Sequence, residues 1–216
     1  MIWSWVGFKL NLGIYSKIFY SNFRVVLNSK NLLYSGKEMI LSKEIQSPLG
    51  ILLAGAVEEG ICLLEFTEKE RLDLQLTRLK KVFGEDIQPG ESKFFDQLEE
   101  QLNEYFEGKR KDFDIPLVVL GTDFQKKAWE ALHSVVYGKT NSYEAQAIRI
   151  GDKNAVRAVA KANGENRIAI LIPCHRIVGK SGDLTGYGGG LWRKKFLLEL
   201  EQKFSDSPTL PFFRGE

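Results

Sequence analysis

From Ile40 onward the apolar positions fall into short blocks punctuated by turn residues. Residues 40–47 read as a strand, Ser47-Pro48-Leu49-Gly50 as a turn and 51–57 as a second strand. Glu58-Glu59-Gly60 then turns the chain into a third strand over 61–66. After it the period changes. Thr67-x-x-Glu70 has the form of a capping box, and Leu72, Leu76, Leu79 and Phe83 recur at helical spacing until Gly84. A second helix is predicted over 92–106, with Phe94, Phe95, Leu98, Leu102 and Tyr105 inward. Gly108 ends it, and 113–119 reads as extended. The fold class expected is α+β, with a small antiparallel-sheet N-terminal domain over 39–120.

Gly121 marks a boundary, beyond which the pattern is mainly helical. Thr122-x-x-Gln125 is a second capping box, opening a helix with Phe124, Ala128, Leu132 and Val135 on one face and Gly138 as its stop. Ser142 is placed to cap a short helix through Ile150, stopped by Gly151. Asp152 is placed to cap the next, over 153–163, stopped by Gly164. Two short helices joined by a tight Gly-containing turn make a helix-turn-helix pattern. On its second helix Val156, Val159 and Ala160 are expected inward. Asn154, Arg157 and Lys161 fall on the outer face, where a recognition helix presents its side chains. An apolar run, 168–172, reads as a strand leading into Pro173-Cys174-His175-Arg176. A glycine-rich loop over 179–190 and a last helix over 191–201 follow. The C-terminal domain is thus expected over 121–204, with a flexible tail over 205–216 that contains Pro208 and Pro211. Residues 1–38 are rich in aromatics but hold no apolar run long enough to span a membrane and no secretory signal pattern. They are expected to be an extension of uncertain order, because a clean domain start follows Met39.

Composition changes the picture at two points. An apolar content of 44% and a charged content of 27% in 216 residues are ordinary for a soluble protein of one large or two small domains. Two cysteines and two histidines leave no disulfide framework and no zinc pattern, so no metal or cofactor is expected. The net charge of +2 hides a gradient, with 39–121 acidic and 122–201 basic. That segregation points the second half toward a polyanion.

The chemistry concentrates in that basic half. Cys174 and His175 stand side by side, followed by a loop that holds six of the chain's twenty glycines. A thiolate is the attacking form of cysteine, and an adjacent imidazole is a common way to make one. For an isolated pair a structural cysteine is the better reading, since free cysteine is among the most buried residue types. The surroundings decide. Ile172-Pro173-Cys174-His175-Arg176-Ile177-Val178, followed by Leu184-Thr185-Gly186-Tyr187-Gly188-Gly189-Gly190-Leu191, resembles the O6-alkylguanine-DNA alkyltransferases, the methylated-DNA–protein-cysteine methyltransferases. The likeness continues through Ser142-Tyr143, Ala155-Val156-Arg157-Ala158-Val159, Ala162-Asn163-Gly164 and Leu197-Leu198-Glu199-Leu200-Glu201. It is close over 122–201, looser over 39–121 and absent over 1–38.

The resemblance implies a DNA repair protein that rotates O6-alkylguanine, and also O4-alkylthymine, out of the duplex and takes the alkyl group irreversibly onto Cys174. His175 is implied as the base acting through a water, Glu201 as its orienting carboxylate, and Asn166 as the brace of the active-site turn. Tyr143 is implied to crowd the phosphate, and Arg157 to fill the stack where the base had been. Tyr187, the Gly188 amide and the Ile177 carbonyl are implied around the guanine, with Asn154 and Lys161 joining Tyr143 and Arg157 on the DNA. The expected partner is double-stranded DNA containing alkylated bases, met by a cytoplasmic monomer with no membrane association. Departures are Ala160-Lys161 where the family has glycine, Arg167 for the common proline, and Phe196 for the usual tryptophan. Two other readings stand beside this one. A non-transferring sensor of alkylated bases lacks the acceptor cysteine. A cysteine hydrolase shares Cys, His and Glu but turns over.

Overall fold

The computed structural model describes residues 15–20, 23–28, 38–84 and 87–206, the first two segments as backbone. The extension thus contributes a hairpin, β1 (Tyr15–Tyr20) and β2 (Phe23–Asn28). The rest of the extension and the tail from 207 lie outside the described residues. The predicted meander follows as β3 (Ile40–Ile45), β4 (Leu52–Val57) and β5 (Gly60–Phe66), paired antiparallel. Then come α1 (Lys69–Phe83), β6 (Ile87–Pro89), α2 (Phe95–Phe106) and β7 (Leu117–Val118). The sheet runs β1-β2-β7-β5-β4-β3-β6. It is mixed, because β6 and β7 each arrive after a helix that carries the chain back across the sheet. β6 therefore pairs parallel to β3, and β7 parallel to β5 and β2.

Every residue of β5 is buried, as expected of a strand covered on both faces. One face carries Cys62 and Leu63 against Leu79 and Phe83 of α1. The other carries Leu64 and Phe66 into a core shared with Phe95, Leu98, Leu102 and Tyr105 of α2. That core continues without a break into Trp129, Leu132, Ile168, Ile170, Cys174 and Leu197 of the second half.

The second half contains α3 (Asp123–Leu132), β8 (Asn141–Ser142), α4 (Tyr143–Arg149), α5 (Val156–Gly164), β9 (Ile177–Val178) and α6 (Leu191–Lys203). The Thr122 capping box forms as predicted, with Thr122 Oγ1 accepting from the Gln125 amide and Gln125 Oε1 from that of Thr122. Ser142 caps α4 by accepting from the Ala145 amide at 3.0 Å. The Thr67 box does not form. Thr67 instead ends the β-pairing, its amide donating to the Ile51 carbonyl, and α1 starts at Lys69. Asp152 accepts from the Asn154 amide in a turn, so α5 begins at Val156 rather than at 153. With that start, Ala155, Val159 and Ala162 form the buried stripe and Ala160 faces solvent. On α3, Trp129 takes the inward place expected of Phe124, which is 36% exposed.

The helix-turn-helix core is polar at its centre. Gln146 of α4 and Asn163 of α5 exchange amide hydrogen bonds at 3.1 and 2.7 Å, and Gln146 also donates to the Ala128 carbonyl of α3. Among the described residues no helix is long and apolar enough to cross a membrane.

Candidate active site

Residues 168–172 are the clearest departure from the sequence reading. They are fully buried but not a strand. Ile168 makes a single parallel bridge to Leu64, after which the backbone folds through successive turns with Ile170 at φ 69°. A β-branched residue in the left-handed region is strained and persists only where its surroundings over-determine it. Asn166 is the local cause. Its Oδ1 accepts from the Ile168 amide at 3.0 Å, while its Nδ2 donates to the Ile172 carbonyl at 2.9 Å. The same Nδ2 reaches Cys174 Sγ at 3.2 Å, so the side chain that folds the turn also holds the sulfur. Cys174, His175 and Arg176 form one 3-10 turn, all buried.

Cys174 is 8% exposed. Burial pushes its thiol up, opposed by the Asn166 hydrogen bond and the charges of Lys194 and Arg71. The resting group is therefore the thiol, and attack requires that its proton be removed. His175 is fully buried, and burial outweighs Glu201 to hold its imidazole below the ordinary value, hence neutral. Its Nε2 lies 2.8 Å from Glu201 Oε1. A carboxylate there fixes the tautomer with hydrogen on Nε2 and the lone pair on Nδ1. Nδ1 has no hydrogen-bond partner among the described residues.

Glu201 is fully buried on α6. Burial alone would raise its carboxyl. The hydrogen bond from neutral His175 and the charge and hydrogen bonds of Arg176 outweigh burial and hold it well below the usual carboxylate range. Arg176 clamps it with Nε at 2.9 Å from Oε2 and Nη2 at 3.0 Å from Oε1, and spends Nη1 on the Val135 carbonyl. The Gly138 amide donates to Oε2 at 3.1 Å, and the Tyr105 hydroxyl of α2 to Oε1 at 2.8 Å.

The glycine loop faces the cysteine from the other side. Tyr143 at the start of α4 directs its hydroxyl to the carbonyls of Thr185 and Gly186, at 3.1 and 3.2 Å. Lys194 of α6 is fully buried, donates to the Thr185 carbonyl at 2.6 Å and stands over the Tyr143 ring. Burial lowers its ammonium to about 8, against the pull of Cys174. Tyr187 has a half-buried ring and a buried hydroxyl with no partner among the described residues. Gly188 is open to solvent, and Ile177 is fully buried in β9, paired parallel to β8 at Asn141. The structure thus brings Cys174, His175, Glu201, Asn166, Tyr143, Tyr187, Gly188 and Ile177 around one turn and one loop. Asn154, Arg157 and Lys161 lie apart from it, all exposed, Asn154 in the turn before α5 and the other two on the helix.

Four residues around the site were not found from sequence: Lys194, Arg176, Tyr105 and Arg71. Arg176 adjoins the motif and could have been suspected as the cation of a buried carboxylate. Tyr105 and Arg71 come from the half that carries no chemical motif, and only packing reveals them.

Comparison with known proteins fits this geometry. Residues 123–203 match the family described as 6-O-methylguanine DNA methyltransferase, DNA binding domain, and residues 40–119 its ribonuclease-like domain. A methylated-DNA–protein-cysteine methyltransferase of Methanosarcina barkeri is 43% identical over 159 residues, 73% of this chain and 94% of that one. The crystal structure of Mycobacterium tuberculosis O6-methylguanine methyltransferase is similar with a TM-score of 0.65 and 41% identity, over 77% of this chain and 95% of that one. A structure of Mycobacterium tuberculosis OGT in complex with DNA is similar with a TM-score of 0.64 and 40% identity, over 79% and 96%. With both family domains matched in order, and with a buried cysteine, histidine and glutamate gathered beside a glycine loop, the chain belongs to the methylated-DNA–protein-cysteine methyltransferases.

Proposed function

We propose that the protein repairs DNA by moving the alkyl group of O6-alkylguanine, and of O4-alkylthymine, onto Cys174 once and irreversibly. The observation that carries this is the histidine beside the cysteine. One ring nitrogen is locked on Glu201 and the other is left as a buried acceptor. Neutral His175 takes the thiol proton through an intervening water, and Glu201 stabilises the imidazolium that results. The sulfur attacks the alkyl carbon, a carbon–sulfur bond forms as the carbon–oxygen bond breaks, and the base leaves with its electron pair and takes up one proton, balanced by the one that the imidazolium returns through water. Water has no carbonyl to attack in the thioether, so the step is not reversed.

The target atom inside a duplex is out of reach of a buried sulfur, so the nucleotide is flipped. Tyr143, at the junction of α4 and the glycine loop, crowds its phosphate, and Arg157 on α5 fills the stack. Asn154 and Lys161 track the backbone, while Tyr187, the Gly188 amide and the Ile177 carbonyl hold the base. Residues 121–204 serve as the DNA-binding and active-site domain, and 39–120 as its support. The reading includes the expectations of a cytoplasmic monomer that needs no cofactor.

Incubation with excess duplex containing O6-methylguanine should give one methyl group per protein molecule, found by mass spectrometry on the Cys174 peptide. Cys174→Ala should abolish transfer while DNA binding persists. Product beyond one equivalent would favour a hydrolase, and a methyl on Cys62 would move the site.

A further inference from the structure

Arg71 lies on α1, in the acidic half that has no catalytic motif, yet its guanidinium ends at the active site. Nη2 donates to the Asn166 carbonyl at 2.8 Å, and Nη1 to the Gly164 carbonyl at 2.9 Å. Nε donates to Glu65 Oε2 at 2.7 Å, and Glu65 is itself fully buried in β5. Asn166 is the residue whose side chain holds Cys174. The same guanidinium fills the space beside Gly188, where a Cβ would overlap its Cζ and Nη1. Arg71 therefore touches both walls of the pocket at once: the turn that carries the sulfur and the loop that faces it.

Neither contact is free to yield. The far end of an arginine usually moves aside for an added methyl, but here all three nitrogens are committed, so moving the guanidinium breaks three hydrogen bonds. The loop is pinned as well. Arg193, stacked 4.2 Å from the Phe66 ring, donates to the Gly189 carbonyl and the Leu49 carbonyl, both at 2.8 Å, and pairs with Glu68. A Cβ at Gly189 would lie 2.6 Å from Phe66.

We propose that Arg71 is a positioning residue for alkyl transfer, setting the spacing between the Asn166–Cys174 turn and the Gly188 loop. The inference rests on the assignment of Cys174 as acceptor. Glycine at 188 then follows from the N-terminal domain, since the arginine occupies the space a side chain would need.

The test is a double-mutant cycle of Arg71→Ala and Gly188→Ala, read as the transfer rate from O6-methylguanine duplex and from free O6-benzylguanine. Each single change should slow both substrates, on the order of tenfold to a hundredfold for a small displacement of the reacting groups. Binding of Arg71→Ala to undamaged duplex should stay unchanged. The double variant should transfer faster than Gly188→Ala alone, because the methyl enters space that the guanidinium has left. If Arg71→Ala does not fold, Arg71→Lys replaces it; the narrower ammonium keeps a charge beside Glu65 and vacates the same space. Single effects that simply multiply in the double variant would overturn the proposal, because a residue needed only for stability gives no rescue. Labelling of Cys174 in the unmodified protein tells the two failures apart. A label elsewhere sinks the assignment of the acceptor, whereas a label on Cys174 without rescue sinks only the role of Arg71.

Discussion

Glu201 keeps its charge in a place that burial makes hostile to charge, because Arg176 and His175 face it directly. Glu201→Gln should leave the packing nearly intact but strand Arg176, at a cost of about 3–5 kcal/mol for breaking a buried pair from one side. It should also slow transfer by about 10²–10⁴-fold, the usual worth of an oriented general base. The pH dependence has a definite sign. A carboxyl whose folded pKa is depressed contributes stability that is complete above its ordinary value of 4.5 and is lost as the pH falls toward the folded value. Denaturation curves between pH 6 and 3 should therefore show the unmodified protein losing more stability than Glu201→Gln; parallel losses would contradict the pairing. At this scale the sequence was informative where the chemistry is local. Cys174, His175 and Asn166 lie within one short stretch, and the family resemblance of the motifs around them is what picks them out. Arg71 and Tyr105 were hidden because their partners are far along the chain and chosen by packing alone.

Among the elements, the two capping boxes are instructive. Thr67 and Thr122 carry the same signature, yet only Thr122 caps, since Thr67 is still engaged with the Ile51 carbonyl at the end of the sheet. Local pattern predicts a cap unless tertiary pairing claims the residue first. The apolar run 168–172 misleads for a related reason: it has the composition of a buried strand, but the Asn166 side chain folds it into turns. The helix pair was legible in its existence and in the Ser142 cap, but not in the start of its second helix, because Asp152 spends its side chain on a turn and moves the buried stripe to Ala155, Val159 and Ala162. On α5, Arg157 is exposed. Arg157→Ala should slow repair of duplex DNA at least tenfold, a fraction of the few kcal/mol that unstacking costs, while transfer from free O6-benzylguanine stays within about twofold. Equal slowing on the two substrates would remove Arg157 from the extrusion step.

For the whole molecule, charge and chemistry divide along the same line. Residues 122–201 are basic and 39–121 acidic, so one half suits a phosphate backbone and the other repels it. Affinity for undamaged duplex should fall linearly on a logarithmic salt scale, by about 0.9 for each phosphate neutralised, with little sequence preference. Lys161→Ala should reduce that slope by about one. A titration whose slope ignores salt would refute the assignment of this face. The charge gradient was plain in the sequence. The continuous core from Leu98 through Trp129 to Cys174 was not, because an apolar residue does not declare which neighbour will cover it.

Tyr105 shows what that shared core means for inherited variation. Its hydroxyl crosses from α2 to the carboxylate that orients His175, yet it sits in a half with no motif and far from the nucleophile along the chain. A substitution there would ordinarily be scored as background change in a supporting domain. If the proposed mechanism holds, it belongs to the same class of lesion as a change in the Cys174 turn itself, and a survey of natural variants confined to the conspicuous motif would overlook it.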